Sequence, residues 1–248
     1  MAVEGGWVNA APDKTPGRIA GMFDAIAPRY DLLNHVLSAG IDRRWRARAI
    51  RSLRLTGHET LLDICTGTAD VALEARKDAR SGGGAAWVLG VDFAGAMLSL
   101  GLRKVRSAGD TQHIVLVRGD AMRLPVRDGS VDAVSVAFGV RNVQHLEKAC
   151  AEMARVLRGG GRLAILEFGV PRAPGMSALY TWYFTRLLPL VGRVVSGHNA
   201  AYSYLPASVG TFPPPAELVA TLREAGFTDV RADPLTFGIV CLYTATRR

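Results

Sequence analysis

Cysteine is scarce in this chain. Cys65, Cys150 and Cys241 are odd in number, far apart and free of any CxxC spacing, which excludes a disulfide framework and a structural zinc site and fits a reducing cytoplasm. Long apolar runs are missing too. The most apolar stretch, residues 179–195, is cut by Arg186, Pro189 and Arg193, so no transmembrane helix is expected. Residues 1–21 have no apolar core of the kind a signal peptide needs and read as a flexible tail, so export is not expected. His35, His58, His113 and His198 lack metal-ligand spacing, and no metal is expected. Acidic residues are outnumbered: 30 Lys plus Arg against 22 Asp plus Glu leave a net charge of +8. That surplus attracts a polyanion, whether nucleic acid, an anionic membrane surface or a phosphorylated ligand, and does not choose among them.

What is present is an ordinary globular composition over 248 residues, 49% hydrophobic and 21% charged, enough for a sizeable core without staples. Residues 22–57 carry apolar and basic positions at helical spacing, divided by Pro28 and Gly40 into two or three short helices that form a helical cover. Short β-branched runs then alternate with helical segments. Strands are expected over 61–65, 86–92, 114–119, 133–138 and 163–168, with helices over 70–79, 95–107 and 146–157, the last ended by Gly159 to Gly161, and a turn at Gly82 to Gly84. This alternation predicts βαβ units and a parallel sheet with helices on both faces. Residues 58–170 would form a donor-binding core and 171–215 a substrate lid or interfacial insertion, made of an apolar, aromatic helix and then a loop holding Pro206 and Pro213 to Pro215. Residues 216–248 would add a helix over 216–225 and strands near 229–233 and 239–246. A single domain spans 22–248.

The sharpest local signal is Leu61-Leu62-Asp63-Ile64-Cys65-Thr66-Gly67-Thr68-Ala69-Asp70, a strand entering a small-residue turn that opens a helix. Small residues let a ligand approach the backbone, and Thr68 with the helix amides offers hydrogen bonds. A dinucleotide site would want G-x-G-x-x-G, but Cys65, Gly67 and Asp70 stand at those three places. Asp70 would repel a pyrophosphate and suits a cation. S-adenosylmethionine carries a sulfonium and an ammonium, so a methyl donor is favoured over a hydride carrier. Asp92 ends the next strand, where a carboxylate receives ribose hydroxyls, and Asp120 with Ala121 ends the one after, where side chain and backbone can read an adenine edge. With Asp63, three acids end three consecutive strands and converge on the carboxyl edge of the sheet.

At these residues the chain resembles the class I S-adenosylmethionine-dependent methyltransferases, and more narrowly the menaquinone and ubiquinone biosynthesis C-methyltransferases. The resemblance runs from Phe23-Asp24-Ala25-Ile26-Ala27-Pro28-Arg29-Tyr30-Asp31-Leu32-Leu33-Asn34, with Ser38 and Trp45, through Phe138-Gly139-Val140-Arg141-Asn142-Val143. It continues in Arg155-Val156-Leu157-Arg158-Gly159-Gly160-Gly161-Arg162-Leu163, Glu167-Phe168, Tyr202-Ser203-Tyr204-Leu205 and Gly226-Phe227. Asp42, Leu33, Ala207 and Gly169 depart from it, standing where histidine, methionine, glutamate and serine are common. The resemblance implies a Rossmann-like α/β fold with a seven-stranded, mostly parallel sheet whose last strand is antiparallel. It also implies donor binding through Thr68, Asp92, Asp120 and Ala121, and methylation of a ring carbon of a prenylated quinol. The C-T-G-T-A-D form of the turn is similar to members acting only on demethylmenaquinone, which makes demethylmenaquinol the expected acceptor and the benzoquinol of ubiquinone biosynthesis the alternative.

Methyl transfer from a sulfonium is an in-line displacement, so positioning and exclusion of water are the main tasks. The ring carbon becomes a better nucleophile when a phenolic proton leaves, so a base or a cation near that oxygen is sought. Arg141 would stabilise a quinolate and Asn142 would orient the acceptor oxygen, with His145 as a second candidate base. Tyr30, Tyr202 and Tyr204 would line the acceptor pocket. Two stretches would bring the enzyme to a membrane surface: the arginine run 43, 44, 46, 48, 51 and 54 around Trp45, and the face of Leu179, Tyr183, Leu187, Leu190 and Val194, which reads equally as a homodimer contact or core. A nucleic-acid methyltransferase would want base-flipping or stacking elements that are missing after the fourth strand, so no nucleic acid partner is expected. A non-catalytic membrane-associated scaffold is the remaining rival, and donor binding would separate the two.

Overall fold

The computed structural model describes residues 12–82, 84, 86–171 and 199–248. The chain opens on a long helix, α1 (Pro16–Leu37), followed by α2 (Asp42–Ser52), β1 (Thr60–Ile64) and α3 (Asp70–Ser81). Next come β2 (Trp87–Asp92), α4 (Gly95–Ser107), β3 (Ile114–Arg118), β4 (Val131–Ala137), a 3-10 turn at Val140–Asn142, α5 (Leu146–Val156) and β5 (Leu157–Phe168). After the undescribed stretch the chain continues as α6 (Asn199–Gly210), α7 (Pro215–Glu224), β6 (Phe227–Leu235), a 3-10 turn at Thr236–Gly238 and β7 (Val240–Arg247).

The seven strands lie in the order β3-β2-β1-β4-β5-β7-β6. β7 runs antiparallel to both neighbours and the other pairings are parallel. Side-chain alternation explains why the strands are apolar throughout. Leu62, Ile64, Val134, Val136, Leu163 and Ile165 pack with Met153 of α5 and Leu218 and Leu222 of α7. Leu61, Ala133, Ala164 and Leu166 point the other way, with Trp45 and Ile50 of α2 and Ala72 and Ala75 of α3. A parallel strand covered on both faces has no solvent side to keep polar.

Several boundaries differ from the sequence reading. α1 starts at Pro16, inside the expected tail, because proline suits a first helical position and Asp13 accepts from the amide and hydroxyl of Thr15 just before it (2.9 and 2.6 Å). Pro28 does not divide this helix. The hydrogen bond that proline removes is outweighed by anchors on either side of it: Ala27 packs with Met97 of α4, Asp24 accepts from Ala96 N (2.8 Å) and Asp31 from Thr68 Oγ1 (2.6 Å). Gly159 to Gly161 end a helix but already belong to β5, paired through a register shift opposite Val131 and Ala133. The expected Gly82 to Gly84 turn falls partly outside the described residues, as Gly83 does. The expected apolar helix over 179–194 lies wholly outside them, and the loop expected around Pro206 is helix α6 instead, because a proline costs a helix one hydrogen bond and buried Ala207 and Val209 hold its last turn.

Candidate active site

Strand order reverses between β1 and β4, so the loops leaving their carboxyl ends diverge and open a crevice. Four residues in these turns have left-handed backbone: Cys65 (φ 55°), Gly67 (φ 55°), Ala69 (φ 67°) and Phe138 (φ 57°). Three of them carry a side chain, and such strain gathers where a binding loop is held by its surroundings. The two turns nearly touch, since a Cβ on Gly139 would lie 2.2 Å from Cys65 Cβ. Gly67 faces open space instead, with no atom within 4 Å of where a Cβ would stand.

Between these turns and α1 lies a cleft with about 760 Å³ of empty space, part of it open to solvent. Its wall beside β2 and β3 contains Gly67, Asp92, Asp120 and Ala121, so the acids ending β2 and preceding the Ala121 turn do meet there. Asp92 accepts from Gly67 N (2.8 Å) on one oxygen and from Ala94 N (2.9 Å) on the other. A carboxylate has about four acceptor positions, so acceptor capacity is left for a ligand hydroxyl. Burial raises the Asp92 carboxyl, and the amides of Ala94, Gly67 and Phe93 pull it back down. Asp120 accepts from Met122 N (2.8 Å), which turns the chain and presents Ala121 to the cleft.

The remaining acids of the turn face elsewhere. Asp63 is 1% exposed and its oxygens accept from Thr66 Oγ1 and Ser135 Oγ, both at 2.6 Å. Burial pushes its carboxyl up to about 6 against those two hydroxyls. Thr68 is buried and donates to Asp31 of α1. Asp70 pairs with Lys104 and lies 3.6 Å from Arg46, so the charge that the sequence argument offered to a sulfonium is directed to the protein's own cations. Lys104 also donates to Asp31 (2.9 Å) and Thr68 (3.1 Å). Together these residues fasten α1 over the cleft.

On the acceptor side, Asn142 and Tyr30 line the cleft. Arg141 is 5% exposed and donates from Nη1 to Glu167 Oε1 (2.7 Å) and to Phe138 O, while its guanidinium sits 5.3 Å from the Phe168 ring centre. Among the described residues, three buried polar atoms have no hydrogen-bond partner, Arg141 Nε, Asn142 Oδ1 and Tyr204 OH, and of these residues Asn142 alone lines the cleft. Unmet buried polar groups are rare in folded proteins and point to a polar ligand. Burial raises Tyr30 and raises Tyr204 to about 12, so both hydroxyls keep their protons. His145 is exposed at the start of α5 and is not among the cleft-lining residues. The Tyr202 side chain lies outside the described residues. The sequence reading missed Lys14, Ile19 and Phe23, which also line the cleft. The signal that could have found them is the Asp13–Thr15–Pro16 helix start.

The ubiE/COQ5 methyltransferase family model matches residues 12–247, nearly the whole chain. The chain belongs to that family. This methyltransferase is 44% identical over 230 residues to a ubiquinone/menaquinone biosynthesis C-methyltransferase of Geobacter sp. strain M21, covering 93% of this chain and 96% of that protein. It is also 44% identical over 226 residues to a demethylmenaquinone methyltransferase of Thermus thermophilus, covering 91% of this chain and 100% of that protein. Its fold matches a SAM-dependent methyltransferase from Aquifex aeolicus with a TM-score of 0.60 at 16% identity, over 94% and 99% of the two chains. Among the described residues, no helix is long and apolar enough to cross a membrane.

Proposed function

We propose that this family member methylates a ring carbon of demethylmenaquinol, with S-adenosylmethionine as donor. The observation that carries the acceptor is its similarity to the demethylmenaquinone methyltransferase over that protein's full length. The donor supplies an electrophilic methyl group on a sulfonium. Asp92 would take its ribose hydroxyls, Asp120 and Ala121 its adenine, and Gly67 would let its backbone approach closely. Thr68 and Asp70 would contribute indirectly, by holding α1 in place. The unpartnered Asn142 Oδ1 would accept a hydrogen bond from an acceptor hydroxyl, and the Tyr204 OH would donate one to an acceptor oxygen. The fixed charge of Arg141 would stabilise a developing quinolate in a site of low dielectric. A benzoquinol acceptor is the second reading, favoured by relatives whose names include ubiquinone.

Such an acceptor lives in a bilayer, and α2 offers a surface for reaching it. Arg43, Arg44, Arg48, Arg51 and Arg54 are exposed on or just after α2, whereas Trp45 and Arg46 are buried. Each exposed charge near an anionic leaflet contributes roughly 1 kcal/mol, which supports peripheral association. The test is methyl transfer from labelled S-adenosylmethionine to reduced demethylmenaquinone in detergent, with the benzoquinol acceptor and bulk RNA in parallel. Label in menaquinone alone is expected. Label in neither quinol, with the donor still bound, overturns the acceptor assignment.

A further inference from the structure

Resting on the quinol reading above, we propose that Lys14 is a catalytic base that takes the proton of the acceptor's ring hydroxyl. Lys14 is half-buried and lines the cleft together with Tyr30, Gly139 and Asn142. Its neighbours Asp13 and Thr15 are exposed and locked in a turn, with Arg18 also donating to Asp13 (3.2 Å). That turn fixes the backbone of the lysine between them. Arg141 of the 3-10 turn and Glu167 of β5 act electrostatically on Lys14, and on Tyr204 of α6 as well. Lys14 therefore stands on the acceptor side of the cleft.

Elimination among the described residues supports the assignment. Arg141 does not deprotonate. Glu167 is fully buried and accepts from Arg141 Nη1, Arg141 N and Phe168 N. Cys65, Tyr30 and Tyr204 are all raised by burial and hold their protons near neutral pH. Desolvation, and then the nearby guanidinium of Arg141, act on Lys14 in the opposite sense, lowering its affinity for a proton, with Glu167 opposing them. A lysine in such surroundings holds a neutral amine at a pH where an exposed one does not.

The step balances. The hydroxyl O–H bond breaks, a new N–H bond forms on Nζ, and the electron pair left on oxygen is shared into the ring, making the adjacent carbon nucleophilic. Once that carbon carries the methyl group, its own proton leaves to solvent and the ring regains aromaticity. The ammonium then returns its proton to the ring oxygen, so one proton is released per turnover and the amine is restored.

The experiment compares wild type, Lys14→Met, Lys14→Arg and Lys14→Ala under saturating donor and acceptor, with donor affinity and melting temperature as controls on folding. The expected loss in kcat is about 10²-fold or more for each variant. The wild-type rise of kcat with pH should vanish in Lys14→Met, and added ethylamine should restore turnover in Lys14→Ala. A Lys14→Arg enzyme within threefold of wild type would show that only a cation is needed and would overturn the proposal, as would a Lys14→Met enzyme at wild-type rate. Independently of turnover, NMR of ε-labelled lysine follows one of only four lysines, Lys14, Lys77, Lys104 and Lys148, the Lys14 signal being the one missing in Lys14→Arg. Its midpoint should lie below the other three, and an ordinary midpoint overturns the base role. Wild-type protein that methylates no quinol, yet shows the depressed midpoint, refutes the acceptor reading instead.

Discussion

Replacing Asp92 with asparagine separates the two ways in which this carboxylate can serve the donor. Its two oxygens accept from Gly67 N and Ala94 N, and the carboxylate borders the cleft. Asparagine keeps the shape but turns one acceptor into an NH2, which meets one of those amides donor to donor. One backbone amide is left unpaired, at a cost of about 1–3 kcal/mol, partly offset because a charge that burial disfavours is removed. Ligand binding loses one charge-assisted hydrogen bond outright and weakens the other. That loss of about 3 kcal/mol corresponds to roughly a 10²-fold higher Kd. Isothermal titration with S-adenosylmethionine and with S-adenosylhomocysteine, which is neutral at sulfur, reads the difference. If Asp92 holds ribose hydroxyls, both ligands weaken alike. Affinity within threefold of wild type, or weakening confined to the sulfonium ligand, would refute the ribose assignment.

Two further outcomes follow from the site. In Lys104→Met, Asp31 and Asp70 lose a shared cation that is itself partly exposed, so stability should fall by only about 1 kcal/mol, or roughly 2–4 °C in Tm. Hydrogen exchange over α1 should rise and donor affinity should drop, and unchanged exchange would disconnect that cluster from α1. Asp63 is held at about 6 against an ordinary 3.8, so its ionised form costs the fold about 3 kcal/mol at neutral pH. That penalty lifts as pH falls through 6 toward 3.8, because the folded state then binds the proton first. Between pH 7 and pH 4 the stability difference between wild type and Asp63→Asn should move by that amount in favour of wild type. Parallel urea-melt profiles for the two proteins would refute the assignment.

The sequence alone determined the order of strands and helices over 58–170 and 216–248, because a parallel strand buried on both faces must be apolar along its length and bounded by turn residues; α6, with Pro206 inside it, it did not. It also determined that acids ending successive strands gather at one sheet edge, since parallel strands share a carboxyl end. Which of those acids line the cleft was decided by the tertiary structure. Asp92 and Asp120 do, while Asp63 and Asp70 find hydroxyls or cations from segments 72 and 34 residues away. Arg141 meets Glu167 across 26 residues only because Ala137 pairs with Leu166 in the sheet. Pro28 reads locally as a helix breaker, yet the helix continues because anchors along α1 outweigh one lost hydrogen bond. Lys14 reads as part of a loose tail, and only the packing of α1 against α4 brings it to the cleft. Local pattern reports which side chains must avoid water. The charge that each polar side chain faces depends on contacts between segments far apart in the chain, which no local pattern records.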